Sequence, residues 1–271
     1  MTVLLLPNPT KEQSCSFTED LRASLAAKGI TAVTSISDTD KKPDLAVIAG
    51  GDGTVLRYLD TLVENDIPVL GINFGHRGYL TACEPQCALS KILEALEGKV
   101  AFESRMLYDC EIFDKNGNLR EKITGLNEAV LSRGGLCRAI DFTIFINGNS
   151  VLSFPADGVI VSTPTGSTAY NFSAQGPILM PEAQNLAITP ICASSLLHSS
   201  LVTTRDDTVE LQISGDRILE ETEKPTLVAD GFRKFHVDFT DKIIVRRSKK
   251  SLRIYGGEAG SFLRVLQNKM R

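Results

Sequence analysis

The chain has 271 residues, enough for two domains and a large core. Its 42% hydrophobic and 23% charged residues are the composition of a globular protein, which excludes an extended disordered chain. The net charge of −4 argues against a general nucleic-acid binder, and no stretch reaches the ~20 apolar residues of a membrane span.

Residues 2–6 read as a first strand, ended by Pro7-Asn8-Pro9. No basic segment precedes this short apolar run, so no signal peptide is expected. A helix is expected over 16–28, with Leu21, Leu25 and Ala26 on one face and Gly29 as its stop. Residues 30–33 can form a second strand, and 37–42 a polar loop. The apolar run 44–48 reads as a buried strand, and 55–64 as a helix with apolar positions 55, 56, 59, 62 and 63. Residues 67–72 form another buried strand, 73–79 a second glycine-bearing loop, and 89–96 a helix closed by Gly98. Strands alternating with helices predict a parallel sheet covered on both faces, with ligands beyond the carboxyl ends of its strands.

Near residue 100 the pattern changes. Short strand-like runs follow at 107–113, 129–132, 139–146, 159–162, 186–191, 208–213, 226–228, 235–239 and 243–246. Turn signals at Lys115-Asn116-Gly117-Asn118, Asn147-Gly148 and Asp230-Gly231 separate them. Such spacing predicts an antiparallel sheet, sandwich or barrel-like domain. Residues 260–271 read as a last helix with Phe262, Leu263 and Leu266 inward. The expected division is 1–99, 100–250, and a segment 251–271 returning to the first domain. The basic run 246–250 reads as a solvated strand edge.

Six cysteines, at 15, 83, 87, 110, 137 and 192, are scattered. Cys83 and Cys87 form a C-x-x-x-C pair, but no second pair or histidine cluster completes a metal site, so all six are expected as reduced thiols in a cytoplasmic protein. His76, His198 and His236 stand beside no nucleophile motif, which argues against a histidine-based triad.

Three clusters carry chemistry. Between the 44–48 strand and the 55–64 helix lies Gly50-Gly51-Asp52-Gly53-Thr54. Glycines here let a ligand approach the backbone, and a helix start suits phosphate. Asp52 is repulsive to phosphate unless it takes a proton or reaches a metal through water; the alternative is an aspartate that caps the helix. The second cluster is Asn127-Glu128, an amide beside a carboxylate at a strand start, which alone is also compatible with a surface loop. The third is Thr163-Pro164-Thr165-Gly166-Ser167-Thr168-Ala169-Tyr170 after the 159–162 strand. Its hydroxyls and backbone amides suit sugar and phosphate oxygens, or else Ser167 or Thr168 caps a helix beginning at Ala169.

Together and in this order, the three clusters resemble the NAD kinase family. Gly-Gly-Asp-Gly-Thr is shared with diacylglycerol and sphingosine kinases and, more loosely, with phosphofructokinases; Thr163–Tyr170 is much more specific. The likeness continues through Ser173–Ile178, Pro190–Cys192 and Asp230-Gly231. It implies an α/β N-terminal domain with a parallel sheet and a β-rich C-terminal domain that binds NAD. It also implies transfer of the γ-phosphoryl group of ATP to the 2′-hydroxyl of NAD's adenosine ribose, with Mg²⁺ or another divalent cation accompanying ATP. Asp52 would be the proton acceptor, and Gly50, Gly51, Gly53 and Thr54 would hold ATP phosphates. NAD would meet Asp52, Gly53, Arg57, Asn127, Glu128, Arg138, Asp157, Thr168, Ala169, Tyr170, Asn171, Phe172 and Ser173. Within that set, Asn127 and Glu128 would serve the adenine and ribose, Asp157 the nicotinamide end, and Tyr170 would pack on a ring.

No protein metal site, nucleic acid or membrane partner is implied, and a homodimer or homotetramer is expected. A lipid kinase would share the glycine turn but need an apolar groove. A non-catalytic NAD sensor could dispense with Asp52. The chain departs from the family pattern at Gln175, where a second glycine is common, at Ala193-Ser194, at Ser199-Ser200 and at Tyr79.

Overall fold

The computed structural model describes residues 1–74, 78–136, 138–194, 199–214, 224–256 and 261–269. It divides into two compact units, Met1–Arg105 with Ser251–Arg271, and Met106–Lys250.

The first unit begins with β1 (Thr2–Pro7), α1 (Glu12–Ala26), β2 (Thr31–Val33), β3 (Leu45–Ala49), α2 (Asp52–Arg57), α3 (Leu59–Glu64), β4 (Val69–Ile72) and α4 (Ala88–Leu96). β1 pairs in parallel with β2 on one side and β3 on the other, and β3 pairs in parallel with β4. Val3, Leu5, Leu45, Val47, Leu70 and Ile72 share one buried cluster with Leu21 and Leu25 of α1 and Ile92 of α4. The alternate residues Leu4, Leu6, Ala46 and Ile48 are equally buried, so both sheet faces are covered. Burying each such aliphatic side chain contributes roughly 1.5–3 kcal/mol. The helix expected over 55–64 begins instead at Asp52 and breaks at Tyr58, where φ −99° and ψ 7° leave helical values. The Tyr58 hydroxyl there donates to the Pro7 carbonyl at 2.9 Å.

The second unit carries β5 (Phe102–Phe113), which begins in the first unit, then β6 (Leu119–Gly125), β7 (Glu128–Ser132), β8 (Ile140–Ile146), β9 (Asn149–Ala156), β10 (Gly158–Ser162), α5 (Tyr170–Ser173), β11 (Ala187–Ile191), β12 (Leu201–Val202), β13 (Thr208–Ser214), β14 (Thr226–Ala229) and β15 (Arg233–His236). β16 (Lys242–Tyr255) then leads back to the first unit, where Ile254 pairs in parallel with Val69, and α6 (Ser261–Lys269) ends the described chain.

Within the second unit one sheet runs β6-β5-β16-β13-β8-β9 and another β12-β11-β10-β7-β14-β15. One core lies between them. Ala129 and Leu131, Val159 and Val161, and Leu227 and Ala229 from the second sheet share it with Phe142, Ile144, Val209, Leu211, Ile243 and Val245 from the first. Every second residue points inward, as a two-sheet sandwich requires. β6 and β9 were not among the expected strands. Their residues 119–122, 149–151, 153 and 155 are exposed, so neither carries a continuous apolar run. Asn147-Gly148 and Asp230-Gly231 form left-handed turns, with φ of 51° and 80°, and 50° and 79°.

Candidate active site

In the first unit, β1 lies between β2 and β3, so the chain order reverses at the β1/β3 pair, where open α/β sheets bind ligands. A cavity of about 290 Å³ opens there, lined by Lys11 and Ser14 after β1, Gly50 and Gly51 after β3, and Asn73 after β4. Lys11 and Asn73 were not singled out from sequence; their positions just after β1 and β4 are the signal that was available.

The glycines of the turn differ in purpose. A Cβ on Gly50 would lie 2.3 Å from Thr54 Oγ1, so Gly50 is needed for packing, and Thr54 is buried against it. Gly51 and Gly53 are exposed, and a Cβ on either would meet nothing within 4 Å. Internal packing therefore does not require glycine at 51 or 53, and the missing Cβ leaves the backbone open to close approach by a ligand.

Asp52 is not a helix cap. Gly51 occupies the cap position, and Asp52 is the first residue of α2. Its Oδ2 accepts from the Tyr79 amide at 3.0 Å and its Oδ1 from the Leu80 amide at 2.9 Å. The second glycine loop thus holds the carboxylate at both oxygens, leaving each a further lone pair. A Cβ on Gly78 would fall 2.1 Å from Asp52 Oδ1, so this grip requires glycine at 78. Arg57, on the same helix, is exposed.

In the second unit, β7 lies between β10 and β14, with Glu128 opposite Ser162 and Ala129 opposite Ala229. This pairing brings Asn127-Glu128, the Thr163–Tyr170 turn and Asp230 together. The Thr163 amide donates to the Asn127 carbonyl at 2.9 Å, and a Cβ on Gly166 would meet that carbonyl oxygen at 2.1 Å. Asp230 accepts from the Leu126 and Asn127 amides at 2.9 and 2.8 Å and from the Glu128 amide at 3.3 Å. Tyr108 donates its hydroxyl to the Glu128 carbonyl at 2.8 Å. Read from sequence as a turn and as part of the family likeness, Asp230 is the clamp on this segment.

Glu128 is 4% exposed, and its Oε2 has no hydrogen-bond partner; Thr165 Oγ1 is also buried and unpaired. Burial, and secondarily the Asp230 charge, push the Glu128 carboxyl up to about 8, against a weaker opposing effect of the Tyr170 amide. Two unpaired polar atoms in one cluster are what a polar ligand would satisfy.

The neighbouring residues divide by direction. Tyr170 and Phe172 are 46% and 44% exposed. Asn171 points inward: it accepts from the Thr189 hydroxyl at 2.7 Å and donates to the Pro177 carbonyl at 3.0 Å. Ser167 neither caps a helix nor faces out. Its hydroxyl donates to the Pro164 carbonyl at 2.7 Å, and the expected helix at 169 is the short α5, capped by Ala169 without a side-chain bond. Thr168 and Ala169 are half-buried and Ser173 is exposed. Asp157 is half-buried and pairs with Arg133 Nε at 2.8 Å, while Arg138 is exposed.

Among the described residues, no group of three or more His, Cys, Asp or Glu is placed to hold a metal ion. Cys15, Cys83, Cys87, Cys110 and Cys192 are free thiols; Cys137, His76 and His198 lie outside the described residues. Among the described residues, no helix is long and apolar enough to cross a membrane.

The chain matches the ATP-NAD kinase N-terminal domain over residues 10–100 and the ATP-NAD kinase C-terminal domain over residues 126–256. The chain belongs to the NAD kinase family. It is 35% identical to the NAD kinase of Lachnoclostridium phytofermentans, over 98% of this chain and 97% of the relative. It is 37% identical to that of Aquifex aeolicus, over 85% and 82%. Among solved structures, an NAD kinase from Archaeoglobus fulgidus in complex with ATP superposes with a TM-score of 0.76 at 25% identity, covering 98% of this chain and 96% of that one. Yeast NADH kinase complexed with NADH shares the fold, with a TM-score of 0.87 at 21% identity over 100% and 87%. Neither a lipid kinase nor a non-catalytic sensor finds support among these NAD kinase relatives.

Proposed function

We propose that Asp52 orients the 2′-hydroxyl of NAD's adenosine ribose and takes its proton as the γ-phosphoryl group of ATP is transferred. Membership in the family makes the chain an ATP-dependent NAD kinase, which forms NADP and ADP. The observation that carries the role of Asp52 is its double anchorage by the Tyr79 and Leu80 amides at the exposed Gly51–Gly53 turn.

Phosphoryl transfer depends on positioning and charge stabilisation more than on covalent chemistry. Gly50, Gly51, Gly53 and Thr54 supply a turn whose backbone amides suit ATP phosphates, and Lys11 adds a positive charge to the adjoining cavity. A carboxylate is a weak base for an alcohol, so proton transfer comes late and orientation is a large part of what Asp52 contributes.

On the dinucleotide side, Asn127 and Glu128 take the adenine and ribose polar groups, and Asp157 the nicotinamide end. Tyr170 offers an exposed ring for stacking, with Phe172 and Ser173 exposed beside it and Thr168 and Ala169 completing the wall. Asn171 supports this wall from within. Arg57 and Arg138 are exposed cations suited to the pyrophosphate charge.

Mg²⁺ or another divalent cation would accompany ATP on its phosphates. Bound there, it offsets phosphate charge. We further propose a cytoplasmic homodimer or homotetramer, because β9 and β15 end their sheets as open edges, and such edges need cover. A stable, active monomer by light scattering would refute the assembly.

Incubation with NAD, ATP and Mg²⁺ should yield NADP, with diacylglycerol and sphingosine left unmodified. Lipid phosphorylation without NADP would overturn the assignment.

A further inference from the structure

Two carboxyl groups meet beside the Thr163–Tyr170 turn, and the structure treats them differently. Asp230 has no exposed side-chain surface. Its oxygens accept the three successive amides of Leu126, Asn127 and Glu128, the Tyr108 hydroxyl at 3.3 Å and the Arg233 guanidinium at 3.3 Å. The amides and the guanidinium are donors that favour the charged form of Asp230, against the burial that raises its carboxyl. It has no surface left for a substrate, so it acts through the segment that it grips.

Glu128 has the opposite setting. It is 4% exposed, lies beside the Asp230 charge, and leaves Oε2 buried with no partner. An ionised carboxylate with an empty acceptor, next to a second charge, is costly to bury; a carboxylic acid is much less so.

Resting on the reading that this unit binds NAD, we propose that Glu128 meets the dinucleotide as a neutral acid, donating its proton from Oε2 to an acceptor atom of the nucleoside, and that Asp230 is the positioning residue that keeps Glu128 in place and protonated. The groups that face Glu128 support this assignment. The Asp230 charge favours retention of the proton, and the Tyr170 amide is the weaker opposing influence. Arg233 and Tyr108 engage Asp230 and the Glu128 main chain.

The consequence is a pH dependence of binding that NAD itself does not have, since NAD carries no group titrating between pH 7 and 9. With the Glu128 carboxyl at about 8, roughly nine-tenths of the protein is binding-competent at pH 7 and one-tenth at pH 9.

The test is calorimetric titration of NAD into the full chain at pH 7 and pH 9, for the wild type, Glu128→Gln, Glu128→Ala and Asp230→Asn. Wild-type affinity should fall about tenfold between the two pH values. Glu128→Gln keeps a donor that cannot titrate, so its affinity should be the same at both. Asp230→Asn should shift the fall to lower pH, because the charge that retains the proton is gone. Infrared difference spectra between pH 7 and 9 provide a readout independent of NAD: a protonated-carboxyl band should be lost in the wild type and absent in Glu128→Gln. Wild-type affinity unchanged by pH, or an equal fall in Glu128→Gln, overturns the proposal while leaving the NAD site intact. If Glu128→Ala binds NAD like the wild type at pH 7, the underlying site assignment fails and the proposal fails with it.

Discussion

Asp52 shows how a single contact changes the meaning of a residue. In the sequence it stands between glycines before an apolar helix, where base and cap are both open readings. The structure removes the cap and supplies an anchor, since both oxygens accept amides of the second glycine loop. Replacing Asp52 with Asn therefore has two effects. The amide nitrogen that takes the place of one oxygen cannot accept, so one N–H loses its partner, at a cost of about 1–3 kcal/mol. The charge and basicity are also lost, and kcat should fall by ~10²–10⁴. NAD affinity, measured by calorimetry, should change little, because the effect falls on the reaction step. Near-normal turnover in a correctly folded variant would make Asp52 structural. Gln175 offers a contrasting case. It occupies a left-handed backbone position with φ 63° and is exposed, at the place where the family resemblance sets a second glycine. Gln175→Gly should raise stability by about 0.5–1 kcal/mol in a denaturant midpoint, the relief of strain being partly offset by glycine's freedom in the unfolded chain. A loss of stability would mean that the Gln175 side chain contributes a contact of its own.

At the scale of elements, the 163–179 segment is held less by regular structure than by side chains, chiefly Asn171. Its amide oxygen takes the Thr189 hydroxyl, its nitrogen reaches the Pro177 carbonyl, and a Cβ on Gly176 would lie 2.2 Å from that oxygen. Asn171→Ala strands these partners and should cost about 1–3 kcal/mol. Because the same segment carries Tyr170 and Phe172 outward, KM for NAD should rise more than kcat falls. Unchanged KM with lowered Tm would show that the wall does not depend on Asn171. This segment also shows what the sequence allows one to read. The parallel strands of the first unit were legible because their runs 2–6, 44–48 and 67–72 are apolar after the opening Thr2 and Asp44, as doubly covered strands must be. β6 and β9 were not, because their exposed polar residues leave too short an apolar signal. The break at Tyr58 was hidden because apolar spacing continues through it. The three clusters were visible as residue types, but the support beneath them was not. Asp230 lies more than a hundred residues from Asn127, and only strand pairing through β7 and β14 makes them neighbours.

For the whole molecule, the buried carboxyl at Glu128 makes stability depend on pH. Its pKa is about 8 in the folded chain against a reference of 4.5, with burial as the main cause. Between those values the folded protein holds a proton that the unfolded chain has released, so stability falls as pH rises. The contribution is fully present below about 4.5 and is lost as pH climbs to 8, a difference on the order of a few kcal/mol. Asp230, also raised chiefly by burial, acts in the same direction. Exposed Asp66 and half-buried Asp114 and Asp207, each lowered mainly by hydrogen bonding, act oppositely at more acidic pH, where their stabilisation is lost as pH falls. Melting of the ligand-free wild type, followed by circular dichroism, should therefore show Tm declining from pH 5 to pH 8. Glu128→Gln removes the Glu128 titration from that window, so its decline should be shallower and its Tm at pH 8 higher than the wild type's. Parallel curves for the two proteins would mean that Glu128 ionises in the fold without penalty. The expected difference has a functional reading, because a residue selected for stability alone would be apolar at this buried position. On the proposal that NAD completes the empty oxygen of Glu128, saturating NAD should raise the wild-type Tm at pH 7 more than at pH 9.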